Sequence, residues 1–328
     1  FQMSSRNSCL RVLNIEPTVQ KWLLEPEQPV VRYYTLRSLM DRNESDPEVR
    51  EARSQILKRG WATEILASQK SRGNWEEIED LYRPKYTATN WRMIVLSDFA
   101  LSSQDESRLE RACQLFFTNK QWLGNEDQFE QEGECCVSGN LARMLTKFGY
   151  GDDPRVKRVL TWLVNTQKED GGWHCFKSDT GTLDCWEALA AFAAIPKPKR
   201  IKSVRRSVDR GAEFYLKREL HKEGQKYSPW YRFHYPNHYY YDLLVGLDVL
   251  TSLGFADDKR LKFALDLLKK KQLADGTWEI DAMHPDIARG AGYTMKKRPK
   301  RFALEKEGKS SKWITLTALK VMKRVEEA

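Results

Sequence analysis

The chain has no uninterrupted apolar run approaching 18 residues, which excludes a membrane-spanning helix. Ser4 to Glu16 lacks the apolar core of a secretory signal, and Phe1-Gln2 ahead of Met3 reads as the remnant of a cleaved tag. The expected native unit is therefore one domain over residues 3–328, in the cytoplasm. No stretch alternates apolar and polar residues with period 2, and no strand–helix alternation occurs, which argues against a sheet-based fold. The six cysteines show no disulfide-framework spacing. They read as free thiols in a reducing compartment, or as metal ligands at some positions. Zinc-finger spacing, RNP-type motifs and basic strands interleaved with aromatics are all missing, so the net charge of +9 does not point to nucleic acid. The basic residues crowd instead into residues 197–206 and 296–301, as solvated loops and helix ends or as a phosphate-binding patch.

What the chain does have is a repeat. Gln167-Lys168-Glu169-Asp170-Gly171-Gly172-Trp173 has relatives in Gln69-Lys70-Ser71-Arg72-Gly73-Asn74-Trp75, Lys120-Gln121-Trp122-Leu123-Gly124 and Gln272-Leu273-Ala274-Asp275-Gly276-Thr277-Trp278. With Trp230 included, successive Trp residues lie 47, 51, 57 and 48 positions apart. A period of that length signals stacked supersecondary units. Each turn closes one helix and drops a Trp beneath it, pinning the helix to the next and burying about 200 Å².

Between these turns the helices sort into two kinds. Six mostly apolar helices are expected to start near residues 31, 88, 135, 184, 239 and 313. Five more charged, amphipathic ones lie between them, several opened by Asp-Pro or Asp-Asp caps. An all-round apolar helix must be buried and an amphipathic one covers it, so the expected fold is an all-α (α/α)6 toroid of helical hairpins. A basic loop over about 279–311 is long enough to suggest a lid or flap.

The turns resemble the repeats of squalene and oxidosqualene cyclases and of protein prenyltransferase β subunits. Three stretches are closer to the prenyltransferases. Gly133-Glu134-Cys135-Cys136 is similar to their Gly-Glu-x-His. Leu183-Asp184-Cys185-Trp186 is similar to their Asp-x-Cys-Tyr, and His238-Tyr239-Tyr240-Tyr241 to their His-x-x-Tyr. The resemblance implies a Zn2+ site at the rim, with Cys136, Cys175, Asp184, Cys185 and His238 as candidate ligands, and an α-subunit-like partner. Soft thiolates with an imidazole suit zinc. Two departures stand out: Cys136 occupies the family's His position, and Asp184 adjoins Cys185, turned by about 100° on a helix. The Asp-x-Asp-Asp acid of the cyclases and the Asp-Asp-x-x-Asp of ionising terpene synthases are absent; Asp152-Asp153 and Asp257-Asp258 read as helix caps.

The expected function is binding of an isoprenoid-type or other apolar ligand in an aromatic central cavity. Trp91, Trp186, Trp230, His234, Tyr239 and Tyr240 are its candidate lining, with Arg83, Arg143, Lys177 and Arg232 as holders of a diphosphate or carboxylate. Lys85 and Arg92 lie near the same helix entries. A non-catalytic scaffold toroid is the alternative, and a carbohydrate-active toroid the third reading, weakened by the lack of a separated carboxylate pair.

Overall fold

The computed structural model describes residues 15–125, 133–284 and 298–328. Residues 285–297 of the 279–311 loop, with Lys296-Lys297, and the first residues including Phe1-Gln2 and Cys9 lie outside the described residues. Thirteen α-helices appear among those described and no β-strand, only the isolated bridges Trp173–Thr182 and Glu279–Ser310. They are α1 (Pro17–Leu23), α2 (Pro29–Tyr34), α3 (Pro47–Gln55), α4 (Trp61–Ala67), α5 (Thr89–Ser97), α6 (Ser107–Thr118), α7 (Cys135–Leu145), α8 (Pro154–Asn165), α9 (Glu187–Ala194), α10 (Lys202–Lys217), α11 (Leu243–Leu253), α12 (Lys262–Lys270) and α13 (Lys312–Glu327).

The six inner helices are α2, α5, α7, α9, α11 and α13. α5 packs on α7, α7 on α9, α9 on α11, α11 on α13, and α13 returns to α2. Lys323 of α13 donates to the carbonyls of Ser38 and Leu39 just after α2, and Tyr34 at the end of α2 hydrogen-bonds the Ala100 backbone just after α5, which closes the ring. The outer layer of α3, α4, α6, α8, α10 and α12 has the amphipathic composition expected of a cover. The inner starts fall within a few residues of those expected, with one consequential exception. The 238–253 segment becomes helical only at Leu243, because the Asp242 side chain caps α11 by accepting from the Val245 N–H at 2.9 Å. The single outer helix expected over 46–69 is split into α3 and α4. At the break Gly60 has φ +73, and a Cβ there would sit 2.8 Å from the Glu27 carbonyl oxygen.

The repeat turns share one geometry. The indole N–H of Trp75, Trp173 and Trp278 donates to the carbonyl ten residues upstream, on Ile65, Leu163 and Leu268, at 2.7–2.8 Å. Each thereby satisfies a carbonyl in the last turn of an outer helix that has no partner within its helix. Gln69, Gln167 and Gln272 each donate to the glycine carbonyl four residues on. Trp122 and Trp230 depart from this pattern. Trp122 packs edge-on against Phe116, and Trp230 donates to Asp184.

Candidate functional site

The loops that feed the inner helices gather at one rim. Across this mouth runs the segment 227–242, and its aromatics plug the ring at this rim, above a smaller cavity on the axis. Tyr235 stacks on Trp313 with ring centroids 4.6 Å apart. His238 lies 5.2 Å from both Tyr86 and Trp91. The Asn140 amide of α7 donates to the His238 carbonyl at 2.6 Å, and the Trp186 indole donates to that of Tyr239 at 3.3 Å. The segment is thus held from α5, α7, α13 and the entry to α9. Of the Trp residues expected to line a cavity, Trp91 and Trp230 are buried in this packing, whereas Trp186, also buried, lines a cavity on the ring axis.

What remains open at the rim is a pocket of about 280 Å³ between this segment and the ends of the 279–311 loop. Arg232, His234, Tyr240, Met283, His284 and Arg301 are among its walls. His234 is its most constrained polar group. Its Nδ1 donates to Asp242 Oδ2 at 2.6 Å, and its backbone N–H donates to the same oxygen at 3.0 Å. The other ring nitrogen, Nε2, is buried with no partner among the described residues. In the neutral ring that nitrogen carries a lone pair. Hydroxyls meet close by: Tyr239 is within 3.3 Å of Tyr86, 3.2 Å of Tyr240 and 3.1 Å of the Lys85 ammonium. Beneath them His238 Nδ1 and His284 Nε2 share a hydrogen bond of 3.0 Å. Burial pushes both of these histidines well below the usual imidazole pKa, with neighbouring charged groups adding to the effect.

The sequence-derived residues separate into three places. His234, Tyr240 and Arg232 line the rim pocket, and Tyr239 stacks on Tyr240 at 4.4 Å. Arg143 lines a different cavity on the ring axis. Arg83 and Lys177 are exposed and line neither. Arg92 packs over Phe302, 3.9 Å from its centroid.

The expected metal ligands are also redistributed. Cys136, Cys175 and Cys185 do come together: the Cys136 N–H reaches Cys175 Sγ at 3.3 Å, and Cys175 and Cys185 sulfurs are 3.5 Å apart. Cys135 joins them through a hydrogen bond with Cys185. His238 does not, because it precedes α11 and its ring meets Tyr86, Trp91, His284 and Phe302. Asp184 accepts from the Trp230 indole at 2.7 Å. Hydrogen bonds from the Cys136 and Cys185 thiols hold Cys175 down to about 3. The Cys136 and Cys185 thiols are correspondingly pushed up, by the hydrogen bonds with their cysteine neighbours and by burial. Under the cluster lies Glu187, fully buried, with neither carboxyl oxygen hydrogen-bonded among the described residues. Burial raises its pKa well above the carboxylate range, and the Cys135 and Cys175 sulfurs add to the rise. Among the described residues no group of three or more His, Cys, Asp or Glu side chains is disposed to hold a metal ion. The sulfurs form a chain, from Cys136 through Cys175 and Cys185 to Cys135.

A third opening, about 650 Å³, lies at the opposite rim along Leu160, Val164, Ile195 and Ile201. Its lysines are engaged: Lys157 and Lys199 both pair with Asp152, and Lys147 pairs with Asp98.

The ring of helical hairpins defines the protein as an α/α toroid. Among solved structures the chain is similar to the type II terpene cyclase MstE from Scytonema. Against the apo form the identity is 15% and the TM-score 0.43, covering 92% of this chain and 88% of that one. A variant in complex with geranylgeranyl dihydroxybenzoate gives 16% identity, TM-score 0.42 and coverage of 92% and 87%. One in complex with merosterolic acid A gives 17%, 0.42, 92% and 86%. No family model and no curated protein matches the chain. Likenesses this distant carry no argument about ligand or reaction; the ring is read from the chain's own helix contacts.

Proposed function

We propose that this toroid binds a compact apolar ligand, of isoprenoid type or similar, in the rim pocket, with the ligand's polar head against His234. The observation that carries this is the buried Nε2 of His234, without a partner among the described residues and fixed in orientation by Asp242, on a side chain that lines a pocket walled by Tyr240 and Met283. A pocket with apolar walls and a few convergent polar groups is the usual form of a small-molecule site. Arg232 and Arg301 supply positive charge for an anionic head. With Asp242 on Nδ1, Nε2 is placed to take a proton from a hydroxyl or return one.

The volume limits the ligand. About 280 Å³ falls just below the roughly 300–1,000 Å³ of drug-sized sites, so short prenyl chains are favoured over long ones. Calorimetric titration with C5 to C20 prenyl alcohols and diphosphates is expected to give saturable binding at the short end. His234→Gln is expected to weaken it about tenfold or more, the scale of a lost buried hydrogen bond to a polar head. No binding at any length, or affinity untouched by His234→Gln, contradicts the proposal. The scaffold reading draws on the aromatic plug at the rim and the missing Asp-x-Asp-Asp motif, and it is what the first of those outcomes would leave.

Zinc is proposed for the thiol cluster, on Cys135, Cys136, Cys175 and Cys185; the concentration of four soft donors supports it. Bound there, zinc would act as a structural clamp or a Lewis acid. Elemental analysis is expected to find about one zinc per chain, lost in Cys175→Ser. A reading near zero in the parent protein discards it. A cytoplasmic location is supported by the five described cysteines, all unpaired. No described helix is long and apolar enough to cross a membrane. An α-subunit-like partner is needed only if the ligand is transferred to a protein, and co-purification tests for it.

A further inference from the structure

The ring axis holds a second cavity, at the end where the inner helices finish and away from the rim pocket. Its volume is about 220 Å³. Tyr34, Asp98, Arg143, Lys147, Asp248 and Lys320 reach it from α2, the end of α5, α7 and the turn that follows it, α11 and α13. Each of its two carboxylates has an ion pair, one with a cation of the cavity and one with a cation outside it. Lys147 Nζ lies 2.6 Å from Asp98, and Asp248 is paired at 2.7 Å with Arg324 just beyond the wall.

That leaves Arg143 and Lys320. Arg143 is only 6% exposed, and its Nε and Nη2 have no hydrogen-bond partner among the described residues. Its guanidinium carbon lies 5.1 Å from the Trp186 ring, a contact that leaves the in-plane N–H groups free. Lys320 also makes no hydrogen bond or ion pair among the described residues; its ammonium lies 5.5 Å from the Tyr34 ring. Buried polar groups are normally hydrogen-bonded, and a buried guanidinium with idle donors is costly unless something occupies them. Asp98 and Asp248 act on Arg143 and Lys320 through charge alone, without a hydrogen bond to either.

We infer that this end of the axis is a binding site for a compact phosphate-type anion, held by Arg143 and Lys320. The cavity has room for about seven water volumes of roughly 30 Å³ each, which accommodates a phosphate or diphosphate but no large organic group. Arg143 offers its fork of N–H donors to two oxygens, and Lys320 acts as a point charge. Asp98 and Asp248 orient Lys147 and Arg324. The site is independent of the rim pocket, and its failure would leave the prenyl-ligand reading untouched.

The test is calorimetry on the full chain at low ionic strength, with inorganic diphosphate, inorganic phosphate and succinate as probes. The expected result is one saturable site per chain for diphosphate or phosphate. Arg143→Met and Lys320→Met should each weaken it about tenfold or more, the scale of a lost charge-assisted hydrogen bond. Lys262→Gln, at an exposed position on the outer layer, should bind like the parent. If Arg143→Met does not fold, Lys320→Met, at a partly exposed position, carries the test alone. Absence of saturable binding by either phosphate probe, affinity unchanged in Lys320→Met, or succinate binding as tightly as diphosphate would overturn the assignment.

Discussion

Trp173→Ala is expected to destabilise the protein by about 3–5 kcal/mol, the range for deleting a large aromatic from a packed core. Trp173 is 1% exposed and its ring sits 6.1 Å from Phe192 of α9. α10 is admitted against it only by Gly211, where a Cβ would fall 2.9 Å from the indole. Removing about 200 Å² of apolar surface is worth roughly 5 kcal/mol at 25 cal/mol per Å². The Leu163 carbonyl that the indole satisfies at 2.7 Å would also lose its donor. Trp173→Phe separates the two effects: it keeps most of the packing and loses the N–H, for about 1–2 kcal/mol from the hydrogen bond. Denaturant midpoints read both. A loss under about 1 kcal/mol in Trp173→Ala would mean that the turn does not tie the outer layer to the inner one.

Acid should expose the second large effect. His238 and His284 are held neutral by burial, with folded pKa values well below the ordinary one. In the unfolded chain each takes up a proton near pH 6.5. Below that pH the unfolded state binds more protons, so the stability these groups contribute is present above about 6.5 and declines as pH falls towards their folded pKa values. For two such groups the loss between pH 6.5 and 5.5 is about 2 kcal/mol. Glu187 works the other way, since its raised pKa makes the folded state the better proton binder above the usual carboxylate range. The informative quantity is therefore a difference. The parent should lose about 2 kcal/mol more than His238→Gln/His284→Gln over that pH interval, and about 1 kcal/mol more than His284→Gln alone. Equal pH dependence in parent and double variant would contradict the buried pair.

The ring was legible in the sequence because its signals are local. The Trp and Gln spacing, the Asp-Pro caps and the alternation of apolar with amphipathic helices each follow from one helix's own needs. The site was legible only in part. His234, Tyr240 and Arg232 stand in one aromatic stretch and do line one pocket. Cys136, Cys175 and Cys185 meet as expected, and Cys135 joins them because the first turn of α7 turns both adjacent thiols towards the same loop. His238 lies outside the helix expected for its segment. Asp242 ahead of an apolar run is a cap signal that would have moved the start of α11 to Leu243. His284 lies in a loop without periodicity, so no spacing links it to His238 across 46 residues. The pairing of Asp98 with Lys147 and of Asp248 with Arg324, which leaves Arg143 and Lys320 unmatched, depends on which helix ends meet on the axis. Sequence spacing holds no record of that.

The most direct test of the rim site is photolabelling with a short prenyl diphosphate carrying a diazirine, read by peptide mass spectrometry. The account predicts labels on Tyr240 and Met283, reduced in His234→Gln. Labels confined to the groove at Leu160, Val164 and Ile201, or on no residue above background, would contradict it.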